Sequence, residues 1–259
     1  MASAQFPRPV LDLAESRRLG EPVRSFDARP EFRRAVIWLA LLAPPGVLLV
    51  LSALFYLVEG PRWMGVGGAL LAAAYLSGLW WIVRDGALRG RGQAVFVFED
   101  GLVRLAPRRT CVHRFDELRS VTATARPGRD GRPRWSFTVV DGDGEFVLSE
   151  VLPGVRELGE VIMAEIAQRE LPRARAEFQA GRPVRFGPFT VDRTGVSKNG
   201  KTAPWEAIGQ AGLGHGMVYV QRLDTGTRLT AETGLVPNAL VFVELCRWAK
   251  TAPKAPQGR

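Results

Sequence analysis

Two long apolar stretches occupy the first third of the chain, and short alternating runs occupy the rest. Residues 35–58 (AVIWLALLAPPGVLLVLSALFYLV) hold no charged side chain across 24 positions, and residues 63–83 (WMGVGGALLAAAYLSGLWWIV) hold none across 21. At the usual rise per residue these are helices of roughly 36 and 32 Å, enough to cross a hydrocarbon core of about 30 Å. Only Glu59-Gly60-Pro61-Arg62 joins them, so the pattern predicts an antiparallel transmembrane hairpin over 35–83. Pro44-Pro45 removes two backbone donors from the first helix and predicts a kink there. Small residues four apart on the second helix, Gly68/Ala72 and Ala74/Gly78, mark a face for close helix packing, within the hairpin or against a second copy.

Beyond residue 92 the period shortens. AVFVFED-GLVRL (94–105) reads as two strands turning at Asp100-Gly101, DELRSVTATA (116–125) as a strand, and RWSFTVVDGDGEFVLSE (134–150) as a hairpin turning over 141–144. Pro153 then opens a helix with Val155, Leu158, Val161, Ile162 and Ile166 at three-to-four spacing.

The same order returns downstream. Gly101 matches Gly195, Phe115-x-x-Leu118 matches Trp205-x-x-Ile208, and Val151-Leu152-Pro153 matches Leu235-Val236-Pro237. Three anchors in one order identify an internal repeat of strands closed by a C-terminal helix. The predicted fold class is α+β: an N-terminal transmembrane helical hairpin, then two tandem pleckstrin-homology-like small β-barrels. Residues 1–34 read as a disordered cytoplasmic segment, 92–180 and 181–249 as the two barrels, and 250–259 as a basic tail.

The second copy resembles an uncharacterised family of bacterial membrane proteins with a helical hairpin and a cytoplasmic pleckstrin-homology-like region. Phe186-Gly187, Gly195, Pro204-Trp205-x-x-Ile208 and Val236-Pro237-Asn238 carry the resemblance, which is best over 181–249 and looser over 35–180. It implies a fold and a topology, and it brings no catalytic or ligand-binding residues with it.

Charge sets the expected orientation. The net charge is +9, and all but four of the 35 basic residues are arginine. Arg24, Arg29, Arg33 and Arg34 precede the first span and Arg84, Arg89 and Arg91 follow the second. Excess positive charge at both outer ends predicts a multi-pass plasma-membrane protein with both termini cytoplasmic. Trp38, Trp80 and Trp81 then lie at the inner interface, with Tyr56 and Trp63 at the outer one. Residues 1–34 mix Arg with Glu and show no cleavage pattern, unlike a signal peptide.

The expected partners are the bilayer, anionic headgroups, and a protein partner or a second copy. The loop at 125–134 carries Arg126, Arg129, Arg132 and Arg134, and the turn Lys198-Asn199-Gly200-Lys201 carries two lysines. Both are candidate lipid- or anion-binding sites, with a solvated loop as the plainer reading. Nucleic acid is not expected, because the long helix mixes Arg156, Arg169, Arg173 and Arg175 with five glutamates rather than presenting a basic face.

Chemistry is sparse. Cys111-x-His113 places a thiol and an imidazole on one face of a strand, with no orienting third group evident. His215, within GQAGLGHGMVYV (209–220), has no partner at metal-ligand spacing. That glycine-rich stretch has strand on both sides rather than a following helix, so it predicts a turn with positive φ near 213–216 and a strand bend at Gly209, not a phosphate loop. Cys111 and Cys246 define no disulfide framework. No cofactor, metal or catalytic residue is assigned. The chain reads as a non-enzymatic, membrane-anchored interaction module. The alternative is a structural or regulatory subunit of a larger membrane complex assembled through the helices.

Overall fold

A computed structural model describes residues 6–84, 93–106, 109–128, 131, 133–142 and 144–251. The fold is mixed α+β. Helix α1 (Arg8–Ser16) and strand β1 (Pro22–Asp27) lead into α2 (Arg29–Val58) and α3 (Arg62–Arg84). Strands β2 (Ala94–Phe98), β3 (Gly101–Ala106) and β4 (Arg109–Arg114) follow, then β5 (Ser120–Pro127), β6 (Pro133–Val140), β7 (Glu145–Ser149) and helix α4 (Val155–Gln179). The second set is β8 (Val184–Phe186), β9 (Phe189–Val191), β10 (Gly195–Lys198), β11 (Lys201–Pro204), β12 (Ile208–Gly214), β13 (Met217–Arg222), β14 (Arg228–Glu232) and α5 (Ala239–Thr251).

The strands form four antiparallel sheets, ordered β1-β2-β3-β4, β5-β6-β7, β11-β10-β9-β8 and β12-β13-β14. Each unit is therefore a four-stranded sheet, a three-stranded sheet and a helix, in that chain order. The repeat anchors fall at equivalent places. Gly101 and Gly195 open the third strand of their sets, where a Cβ would lie 2.4 Å from the His113 carbonyl oxygen and 2.0 Å from that of Ala203. Phe115 and Trp205 follow the fourth strands, and Leu152 and Val236 are buried just before the helices.

The segment expected to be disordered is ordered from Phe6 onward. Strand β1 pairs antiparallel with β2, with Asp27 opposite Ala94 and Phe26 opposite Val95. The first unit thus begins before the helical pair, not at residue 92, and α2–α3 stand as an insertion in its first β-hairpin. Helix α1 covers the outer face of this sheet: Val10, Ala14 and Leu19 pack on Ala94, Phe96, Phe98 and Val103. On the inner face Val95, Val97 and Leu102 join the core with Phe115, Phe137, Leu158 and Ile162. Few apolar positions mark 1–34, and those few gain meaning only once β2, buried on both faces, needs a cover.

Helix α4 serves both units. Val155, Leu158, Ile162 and Ile166 lie in the first core, whereas Ala167 and Ala174, with half-buried Leu171 and Phe178, pack on the second. Phe178 meets Trp205 and Trp248 edge-on, at ring distances of 6.0 and 5.8 Å. The boundary at 180/181 assigns all of α4 to the first unit, but the second core reaches back to residue 167.

The helical pair is long and apolar enough to cross a membrane over Phe32–Val58 and Trp63–Trp81, and only 6% and 11% of these windows is buried within the protein. Helix α2 continues through Pro44 and Pro45. One turn earlier the Tyr75 hydroxyl donates to the Leu42 carbonyl at 2.7 Å, and Gly46 leaves room for the ring, since a Cβ there would lie 2.9 Å from Tyr75 Cε1.

Replacing residues 29–92 by an Asn-Gly turn that joins Ala28 to Gln93 is expected to give a soluble protein with cooperative thermal unfolding by circular dichroism. A chain starting at Gln93 uncovers Phe96 and Phe98, each worth roughly 1.5–3 kcal/mol of burial, and is expected to aggregate. Equal solubility and cooperativity of the two would show that β1 and α1 are dispensable to the first unit.

Candidate functional site

The basic loop is a strand extension rather than a free loop. Strand β5 runs to Pro127 and β6 starts at Pro133, with Arg126 directly opposite Arg134. Like charges opposite one another disfavour pairing. Arg134 is partly offset by Glu150 at 3.7 Å, while Arg126 is exposed. The Glu150 carboxylate also accepts the Trp135 N–H at 3.1 Å, and Arg156 lies 5.8 Å above the Trp135 ring. Arg129 and Arg132 lie outside the described residues.

The other basic turn sits between β10 and β11, the counterpart of the β3–β4 connection in the first unit. Asn199 and Gly200 take positive φ of 49° and 79°, and Lys198 opposes Lys201. The two lysines differ: the Lys198 ammonium donates to the Thr230 carbonyl and lies 5.8 Å over the Phe189 ring, whereas Lys201 is exposed. The basic arm at β5–β6 and this turn belong to different sheets, and no cavity joins them among the described residues.

Asp141, not evident from the sequence, orients His113. The imidazole Nδ1 lies 2.5 Å from the Asp141 carboxylate, and the ring stacks on Phe146 at 4.3 Å. Nε2 is shut off from solvent and has no hydrogen-bond partner. With one nitrogen held and the other buried, the pair fastens β4 to the β6–β7 turn, where Asp141 also accepts the Gly144 N–H at 2.8 Å. Cys111 is half-buried and unpaired; Cys246 is buried in the second core, and burial pushes its thiol far above the ordinary range. Among the described residues no three His, Cys, Asp or Glu side chains gather into a metal-binding group.

The glycine-rich stretch is a β-hairpin. His215 and Gly216, at φ 51° and 75°, form a two-residue turn between β12 and β13, and the register shifts at Gly209. Tyr219 explains Gly212: the two are opposite, and a Cβ on Gly212 would lie 2.6 Å from the Tyr219 hydroxyl.

The small residues of α3 divide between two faces. Gly68 approaches Ala53, where a Cβ would sit 3.4 Å from the Ala53 Cα, and Ala72 is buried. Ala74 is exposed, and a Cβ on Gly78 would meet nothing within 4 Å. Gly68 and Ala72 pack inside the hairpin, while Ala74 and Gly78 face away from α2.

The seam between the units was the feature least visible in the sequence. Asn238 adopts φ 52°, just before α5. Its N–H donates to the Val121 carbonyl at 2.9 Å, its Oδ1 accepts the Val121 N–H at 2.9 Å, and its Nδ2 donates to the Arg119 carbonyl at 3.1 Å. One side chain thus brackets the edge of β5. Beside it a small groove of about 150 Å³ runs between α4, β8 and the start of α5, with Arg173, Glu177 and Arg185 at its rim. The signal in the sequence was Pro237-Asn238, since Asn tolerates the left-handed region. The first unit has Gly154 there, at φ 70° and without a bracketing side chain.

Two like-built α+β units, the first interrupted in its β1–β2 connection by a pair of candidate membrane-crossing helices, define the class of protein. The chain matches the family of unknown function DUF6585 over residues 1–254 and belongs to that family. No curated protein matches the chain, and no solved structure matches it.

In the hairpin-excised protein, Asn238→Ala is expected to cost about 2–4 kcal/mol in urea unfolding, from lost hydrogen bonds and an unfavourable left-handed backbone. Asn238→Gly keeps the backbone and is expected to cost about 1 kcal/mol less. If both variants unfold at the wild-type midpoint, the bracket does not hold the units together.

Proposed function

We propose that this protein is a non-enzymatic, membrane-anchored interaction module, with tandem pleckstrin-homology-like units at the cytoplasmic face of the plasma membrane. The observation that carries the reading is the place of the helical pair. Because β1 and β2 pair antiparallel with Asp27 opposite Ala94, both roots of the pair leave one end of one sheet. A hairpin that spans a membrane from there leaves both units on the same side. The arginine excess at both roots makes that side the cytoplasm. The four-plus-three strand order closed by a helix, present twice, supports the pleckstrin-homology-like assignment.

The module's ligand in this reading is an anionic lipid headgroup or an acidic protein surface, met by Arg126, Arg129, Arg132 and Arg134, with Lys201 as a lesser contributor. Arg126 and Arg134 held side by side, with only Glu150 near them, form a concentrated positive patch. The absence of an enzymatic role is part of the proposal, supported by a His113 whose second nitrogen is buried. A structural subunit assembled through α3 is a second reading, supported by the open Ala74/Gly78 face.

The hairpin-excised protein is expected to sediment with vesicles of phosphatidylcholine and phosphatidylglycerol, less so as salt rises, and not with phosphatidylcholine alone. Each basic side chain near an anionic surface contributes about 1 kcal/mol. Changing the four arginines together to Ser is therefore expected to weaken binding by more than about a hundredfold. Unchanged binding in that variant would remove the arm from the site.

A further inference from the structure

A strand at a sheet edge offers a row of unpaired N–H and C=O groups, and proteins guard it with charge, proline or a cover. Eight strands here lie at sheet edges. Seven contain a charged residue or a proline, from Arg24 in β1 to Arg228 in β14. Strand β12, Ile-Gly-Gln-Ala-Gly-Leu-Gly, contains neither.

The structure shows what such an edge takes. Strand β5 is the first unit's counterpart of β12: alignment of Leu118 with Ile208 sets Val121 against Ala211. Val121 opposes Val139 on β6 as Ala211 opposes Val220 on β13. At β5 the outward groups of Val121 are both taken by Asn238, and the Arg119 carbonyl takes the Asn238 Nδ2. At β12 the Gly209 carbonyl, counterpart of Arg119, takes the Lys250 ammonium at 2.7 Å. Beyond Gly209 the outward edge of β12 meets no partner among the described residues, and Leu213 is 38% exposed.

We infer that β12 is a self-association edge, at which two copies of this chain pair β12 with β12 antiparallel about a two-fold axis. The sheet β14-β13-β12 then continues into its copy as six strands. A two-fold axis sets each residue near it against itself or its near neighbours, so a charged edge meets its own charge. The uncharged β12 has none to oppose. The docking of the whole second unit on the edge of β5 shows that this position on the fold admits a body, not only a peptide. This inference goes beyond the proposed function and uses neither the helical pair nor the basic arm.

The full-length protein in detergent is expected to give, by light scattering, a dimer fraction that rises with concentration. Hydrogen exchange across 208–216 is expected to slow in parallel. Leu213→Lys places two ammonium groups near the axis and is expected to weaken dimerisation on the order of tenfold, with unchanged circular dichroism. If that variant fails to fold, Gln210→Lys at an exposed position of the same strand gives the same reading. A monomer at every concentration would overturn the inference. So would a dimer that the lysine variant leaves intact, or one whose 208–216 exchange does not depend on concentration.

Discussion

The pairing of β1 with β2 is the constraint from which the rest of the molecule follows. Two strands separated by the whole helical pair lie in register, and the Ala28 N–H donates to the Gln93 carbonyl at 3.1 Å to close the last rung. That pairing brings the two roots of α2 and α3 together and completes the first four-stranded sheet. It also places α1 over Phe96 and Phe98. Arg24 on β1 meets Glu157 on α4 at 2.7 Å, which links the root of the helical pair to the helix shared by both units.

Helix α4 and Asn238 make the two units one structure rather than beads on a string. A single helix contributes to two cores, and a single asparagine satisfies a strand edge that an independent unit leaves open. Polar contacts of this kind specify geometry, because a buried or edge-facing amide tolerates few arrangements. The seam therefore fixes the relative position of the two sheets that it joins. It also separates the copies functionally: Gly154 in the first unit packs its backbone near Phe26, while Asn238 reaches across.

Much of this was legible in the sequence because it is local. Uncharged runs of 24 and 21 residues, alternation in 94–105 and 134–150, and three repeat anchors each report on a few neighbouring positions. The His215-Gly216 turn and the bend at Gly209 followed from the strand residues around them. What the sequence did not disclose depends on distant partners. Strand β1 has no mark of its own until β2 lies beside it. Asp141 reads as a turn residue and becomes the partner of His113 only when β4 and β6–β7 close on each other. The arm at 126–134 reads as a flexible loop because Pro127 and Pro133 suggest breaks; they stand opposite one another at the end of the ladder. The split of the α3 small residues between two faces required the position of α2. Basic residues are apparent in any sequence, but what each one touches is not, as Lys198 and Lys201 show.

The insertion of α2 and α3 between two paired strands also has a consequence for biosynthesis. Asp27 and Ala94 are 67 positions apart, so at about 5–20 residues per second β1 leaves the ribosome roughly 3–13 seconds before its partner. Closing a loop of that length at random carries an entropic cost that rises with the logarithm of its length. Formation of the helical hairpin removes most of that cost, because two helices joined by a short turn return the chain to its starting point. The helical pair is then a template for the first sheet, and the order of events during synthesis is set by the chain itself: helices first, the β1–β2 rung second, and the units after it.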